Sequence, residues 1–289
     1  MKDFSGRIAV ITGGGNGIGR ALALLLAEEG CSLALCDVRA ADLEETAALA
    51  RALAPQGVRI STFVADVSVE DQVLAFRDAV IAVHETSHVN LLFNNAGISG
   101  GGSFVSAPRA EWDRVFGVCW HGVYNNARAF LPLLIKADAA HLINVSSVNG
   151  FWASLGPDTA HTAYSAAKFA VKGFSEALIN DLRLNAPHVK VSLVMPGHIG
   201  TRIAANSVEA QMNGVAMPDD IRERVEAFEA NGLAPKAAAQ IILDGVRDER
   251  WRILVGPDAI LLDRAVRADP ENVYGMDMAT LVAAALKAS

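Results

Sequence analysis

The stretch that decides the fold runs Arg7-Ile8-Ala9-Val10-Ile11-Thr12-Gly13-Gly14-Gly15-Asn16-Gly17-Ile18-Gly19-Arg20-Ala21-Leu22. A short, almost wholly apolar run ends in a glycine-rich turn and passes directly into a helical pattern. Glycine serves such a turn in two ways: the chain must bend tightly, and its backbone must approach a ligand with no Cβ in the way. The helix that follows offers unpaired N–H groups and the positive end of its dipole, which together seat a pyrophosphate. Glycines at this spacing occur often by chance, but between a first strand and a first helix they carry weight. Gly13, Asn16, Gly17, Ile18 and Gly19 are therefore candidate phosphate-contacting residues.

Outward from this turn, short apolar runs rich in β-branched residues alternate with stretches of helical period. The strand candidates are 7–12, 32–36, 59–64, 89–94, 140–145 and 189–195, with a last one at 251–255. Such runs suit parallel strands covered on both faces. Helical stretches at 20–29, 41–54, 70–85 and 111–134 separate them. Right-handed crossovers then place helices on both sides of the sheet. The expectation is a doubly wound, three-layer α/β Rossmann fold in a single domain over 1–289, its core about 5–257. Residues 204–217 carry Asn206, Ser207, Asn213 and Gly214 without periodicity and read as a long loop or flap beside the substrate. Helical patterns resume at 219–231 and 235–247. The extension 258–289 holds amphipathic stretches at 259–268 and 278–288, suited to packing on the core or on a neighbouring subunit.

Composition excludes several classes. The 289 residues are 52% hydrophobic and 20% charged, enough apolar side chain for a large core. A net charge of −7 leaves no basic stripe of the kind nucleic-acid binding needs. No apolar run reaches the ~18 residues of a membrane span. The N-terminus enters the first strand with no signal-peptide core. Cys31, Cys36 and Cys119 form no CxxC pair and no metal-ligand cluster, which predicts reduced thiols in a cytoplasmic, metal-free protein.

The second strand ends at Asp37, eighteen positions after Gly19. An acid there accepts hydrogen bonds from both hydroxyls of an adenosine ribose and repels a 2′-phosphate. At ~4 Å and an effective dielectric of ~20, each pair of unit charges costs about 4 kcal/mol, and even half of that favours NAD over NADP more than about tenfold. Arg39 is the counter-signal, since an arginine here can neutralise a 2′-phosphate.

The strongest constellation is Tyr164-Ser165-Ala166-Ala167-Lys168, opening a helix after a strand that ends Asn144-Val145-Ser146-Ser147. A spacing of four puts Tyr164 and Lys168 on one helix face. A free phenol titrates near ~10 and is a poor base at neutral pH, but a nearby ammonium lowers that value by about 1–3 units. A phenol so poised suits reversible proton transfer at a carbinol oxygen, with a serine hydroxyl holding the same oxygen.

Together with Asn94-Asn95-Ala96-Gly97 after a later strand and Pro196-Gly197 after the sixth, these motifs resemble those of the classical short-chain dehydrogenase/reductase family over roughly residues 5–257. The resemblance implies Tyr164 as general acid/base, Lys168 lowering its pKa and holding the nicotinamide ribose, and Ser147 orienting the substrate oxygen, with Ser146 as runner-up. It implies that Asp66, followed by Val67, meets the adenine edge and that Asn95, Ala96 and Gly97 line the adenosine side. It assigns Pro196, Gly197, Ile199 and Thr201 to the strip that meets the nicotinamide carboxamide. It also implies a homodimer or homotetramer, paired through helices near 111–134 and 162–185.

The expected activity is NAD-dependent interconversion of a secondary alcohol and a ketone; a non-catalytic NAD(H)-binding protein, or an enzyme using NADP, is the alternative. Phe151, Trp152 and Leu155, between two catalytic segments, are expected either to wall an apolar pocket for an aryl or cyclic substrate or simply to pack under the loop. His161 is a further substrate-contact candidate, or else a helix-start residue bonded to backbone. One departure stands out: Val118-Cys119-Trp120-His121-Gly122 places cysteine where the family usually has asparagine. The family asparagine acts through its backbone carbonyl, which cysteine retains. Cys119→Asn is therefore expected to leave turnover within several-fold, and a hundredfold rise in steady-state assays would contradict this.

Overall fold

The short aliphatic runs pair as seven parallel strands in the order β3-β2-β1-β4-β5-β6-β7. The structure, a computed structural model, describes residues 1–153, 160–212, 216–275, 277 and 280. Leu155, Asn213, Gly214 and the stretch 278–288 singled out above fall wholly or almost wholly outside them. In chain order the elements begin β1 (Ile8–Thr12), α1 (Gly17–Glu28), β2 (Ser32–Asp37), α2 (Ala40–Leu53), β3 (Ile60–Val64), α3 (Glu70–His84) and β4 (Leu91–Asn94). They continue α4 (Arg109–Phe116), α5 (Gly122–Ile135), β5 (Ala140–Val145), α6 (Thr162–Asn185) and β6 (Val189–Pro196). The chain then forms α7 (Ile203–Met212), α8 (Asp219–Asn231), α9 (Pro235–Arg247), β7 (Arg252–Val255) and α10 (Pro257–Ala268).

Alternation along each strand divides the apolar side chains between two faces. Ile11, Leu33 and Leu35 pack with Leu22 and Leu26 of α1 and Ile242 of α9. Val10 and Leu92 face the other way, onto Phe76 of α3, Phe130 of α5 and Leu182 of α6. Both faces are covered, so the strands read as continuous apolar runs. The strand order reverses between β1 and β4, and the crevice beyond their carboxyl ends is where open α/β sheets bind ligands. Inside the sheet a polar chain links three elements: Asn94 donates to the Asn144 side-chain oxygen (2.8 Å), Asn144 to the Ser175 hydroxyl (2.9 Å), and Ser175 to the Val171 carbonyl (2.7 Å).

The structure bears on three expectations. The segment read as a flap over 204–217 is helical as far as Met212, where it forms most of α7. Its buried face is made of Ala205 and Ser207, small and partly polar, so no apolar stripe marked it, and Ser207 returns its hydroxyl to the Ile203 carbonyl (2.8 Å). The helix expected over 111–134 is present, and its middle is widened by a π-turn, Gly117–His121, with Cys119 at its centre. Trp152 does not wall an open pocket. It is fully buried with Val123, Val171, Leu193 and Met195, and with Ala259 and Leu262 of α10, and Phe151 joins the same cluster. A salt bridge between Arg252 and Asp263 (2.5 Å) closes over it, the guanidinium 5.5 Å from the Phe151 ring centroid.

Because it is core, Trp152→Ala is expected to cost about 3–5 kcal/mol of stability in a urea titration, and Trp152→Phe markedly less.

Candidate active site

The crevice is organised by Thr12 at the end of β1. Its hydroxyl donates to the Phe93 carbonyl (3.3 Å) and accepts from the N–H groups of Asn95 (3.0 Å) and Ala96 (3.1 Å). In return the Asn95 side chain donates to the carbonyls of Thr12 (2.9 Å) and Gly13 (3.2 Å). Asn95 and Ala96 thus hold the glycine turn against the end of β4. In the sequence nothing marks Thr12 for this role, because a hydroxyl at a strand end has no signature apart from its distant partners.

The glycines of the turn meet real steric limits. A Cβ at Gly13 would sit 2.8 Å from the Ala96 Cα, one at Gly19 2.0 Å from the Gly13 carbonyl oxygen, and one at Gly17 3.0 Å from Thr201. Gly13 and Gly17 also hold positive φ, +66° and +55°. Asn16 is the N-cap of α1 and makes no side-chain cap bond, and Ile18 lies in the first helical turn. At the end of β2 the Asp37 carboxylate accepts from the N–H groups of Gly15 (2.9 Å) and Arg39 (3.1 Å). Asp66 accepts from the Ser68 N–H (2.9 Å) and hydroxyl (2.7 Å), while Val67 packs where a Cβ on Gly122 would lie. This cradle of bare backbone, helix N-terminus and strand-end acids suits a dinucleotide.

The strip after β6 is fastened from behind. The Gly197 N–H donates to the Val255 carbonyl (2.9 Å), continuing the pairing of Pro196 with Val255. The His198 N–H donates to the Asp258 carboxylate (2.6 Å). A Cβ on Gly197 would collide with that carboxylate at 2.2 Å. Ile199 bridges to Leu233, and Thr201 stands against Gly17. Asp258 was missed in the sequence. It reads there only as an acid in the first turn of a helix that starts with proline, 60 residues from the group it holds.

At the catalytic end Lys168 is buried, 5.4 Å from the Tyr164 ring centroid, and donates to the Val145 carbonyl (3.0 Å). The two serines separate in role. Ser146 donates to the Lys168 carbonyl (2.8 Å) and so tethers the helix. Ser147 lies beside the phenol, where it pulls the Tyr164 pKa down, and accepts from the Asn149 N–H (3.2 Å). Burial pushes the Tyr164 pKa above its ordinary value, outweighing the downward pull of the Lys168 ammonium and the Ser147 hydroxyl, while Cys119 adds to the rise. The phenol within the chain alone therefore titrates higher than the spacing suggested. Gly97 stands beside this group: a Cβ there would lie 3.5 Å from the Lys168 ammonium and 3.9 Å from the Cys119 sulfur. The Cys119 thiol itself donates to the Ile98 carbonyl (3.2 Å).

His161 is the N-cap residue of α6, its ring centroid 4.7 Å from that of Tyr164. Burial pushes its pKa down to about 4, so it stands neutral against the phenol at physiological pH. Just beyond, Thr162 and Ala163 donate their N–H groups to the carbonyls of Gly102 (3.0 Å) and Gly101 (3.2 Å), seating the helix start on the loop after β4. Above the crevice, α7 reaches across its mouth. Ser207 accepts from the Ser99 N–H (3.0 Å) after β4, and Asn206 accepts from Arg39 (2.6 Å) after β2.

Residues 7–212 match the family model for short chain dehydrogenases. This chain belongs to that family. It is 38% identical over 286 residues to SadH of Mycobacterium tuberculosis, a protein assigned as an oxidoreductase, covering 98% of this chain and 96% of that one. A crystal structure of a short-chain dehydrogenase/reductase from Burkholderia phymatum in complex with NAD superposes with a TM-score of 0.81 at 33% identity, over 94% of this chain and 96% of that one. A metagenomic short-chain oxidoreductase in complex with NADP superposes at 0.65 with 28% identity, covering 87% and 97%. The family binds a nicotinamide cofactor, and both forms occur among these structures.

If Asp258 positions the strip, Asp258→Ala is expected to weaken NADH binding about three- to tenfold in a fluorescence titration, with Asp258→Asn nearer wild type because its side-chain oxygen still accepts from His198.

Proposed function

We propose that the protein is an NAD-dependent oxidoreductase that interconverts a secondary alcohol and a ketone. The observation that carries this reading is the meeting of the Ser147 hydroxyl, the Tyr164 phenol and the buried Lys168 ammonium. When bound, the nicotinamide supplies or accepts the hydride. Tyr164 takes the hydroxyl proton of the alcohol in one direction and returns it to the ketone oxygen in the other. Ser147 donates to the same oxygen and steadies the charge that develops there. Lys168 stabilises the phenolate electrostatically, in a site where burial raises the cost of that charge.

NAD is favoured by Asp37, whose carboxylate stands at the tip of β2 over the glycine turn. A hydrophobic substrate, aryl or cyclic, is supported by the neutral His161 ring beside the phenol rather than by Trp152. Pairing of subunits through α5 and α6 is supported by the exposed rings of Tyr124 and Phe169. The three cysteines are free and buried, which supports a reducing, cytoplasmic setting. Among the described residues, no helix is long and apolar enough to cross a membrane.

The test is NAD reduction followed by absorbance across aliphatic, cyclic and aryl secondary alcohols. Tyr164→Phe is expected to cost about 10²–10⁴ in rate, roughly 3–5 kcal/mol of barrier; retention of most of the rate would overturn the assignment. Oxidation needs the phenolate, so its rate should rise with pH. Lys168→Met removes the charge that lowers the pKa and should move that rise to higher pH; ketone reduction, which needs the protonated phenol, should fall with pH, and in this variant that fall should also move to higher pH.

A further inference from the structure

Arg39 is the one residue near the β2 tip that argues for a 2′-phosphorylated cofactor, and the structure records what occupies it. Its guanidinium donates to the Asn206 side-chain oxygen (2.6 Å), lies 3.5 Å from the Glu209 carboxylate and 3.3 Å from that of Asp42. Glu209 is held in turn by Arg202 (2.8 Å). Two of the three groups on Arg39 come from α7, the helix that spans the mouth of the crevice from Ser99 to Arg39.

We propose that Glu209, on the helix across the crevice, sets cofactor choice by holding the Arg39 guanidinium away from the ribose 2′ position. The inference deepens the NAD reading and rests on it. Asp37 repels a 2′-phosphate directly, but an arginine two residues further along the chain would offset that repulsion if it were free. Turned toward α7, the same arginine pairs with Glu209 and Asp42, and a phosphate arriving at the ribose meets the Asp37 carboxylate with no cation to offset it. Arg39 and Glu209 are each about two-fifths exposed (41% and 42%), so their pairing is weak; removing the Glu209 charge leaves Asn206 and Asp42 on the guanidinium but frees part of its charge to meet a phosphate.

The measurement is the ratio of NADPH to NADH dissociation constants, read by fluorescence titration of the purified protein with no substrate present. Glu209→Gln is expected to shift that ratio about tenfold toward NADPH (~1.4 kcal/mol). Glu209→Asp is expected to stay near wild type, and the double variant Glu209→Gln with Arg39→Gln to lose the gain. An unchanged ratio in Glu209→Gln, or a gain that survives removal of Arg39, would overturn the proposal. Failure of the NAD reading shows separately, as wild-type protein that binds NADPH at least as tightly as NADH. Thermal melts followed by circular dichroism establish that each variant is folded before its ratio is read.

Discussion

The hydrogen bonds exchanged between Thr12 and Asn95 hold two strand ends at the point where the sheet reverses its order. A crevice exists there because β1 and β4 send their following helices to opposite faces of the sheet. That divergence leaves backbone groups at both strand ends in want of partners, and the Thr12 hydroxyl and the Asn95 amide satisfy five of these contacts between them. The glycine turn, the Asp37 carboxylate that bonds to it, and the approach of Thr201 to Gly17 all take their positions from this junction.

A tension between burial and charge runs through the catalytic end. Tyr164 is partly buried against Val115, Ala163 and Ala167, and that burial disfavours the phenolate. The chain answers with an ammonium 5.4 Å from the ring centroid and a serine hydroxyl beside the phenol. His161, next to the same ring, contributes shape without charge because its own burial keeps it neutral. Two neighbouring titratable groups are thus driven toward their uncharged forms, and the buried lysine, helped by Ser147, works in the opposite sense on the phenol.

Those parts of the molecule governed by local rules were legible in the sequence. Apolar strands covered on both faces, a glycine turn between strand and helix, and a tyrosine one turn from a lysine each follow from a backbone period or from sterics. What escaped depended on distant partners or on direction. Ala205 and Ser207 bury a helix face without large apolar side chains, so α7 has no helical stripe in the sequence. Trp152 follows the 3-10 turn at Val148–Gly150 and points inward onto α10, a choice that neighbours in sequence do not reveal. Asp258 holds a backbone N–H 60 residues away, and nothing local marks it.

The chain of amides and hydroxyl running from Asn94 through Asn144 to Ser175 ties two central strands to the helix that carries Tyr164 and Lys168. Lifting that helix off the sheet would strand buried polar groups in an apolar interior, which costs far more than fraying an edge. Its amide protons should consequently exchange with deuterium only when the whole domain opens, while those of α7 and α8 exchange through smaller fluctuations. The reacting groups would then ride on the most slowly opening part of the molecule, and the helices across the entrance on a much faster one.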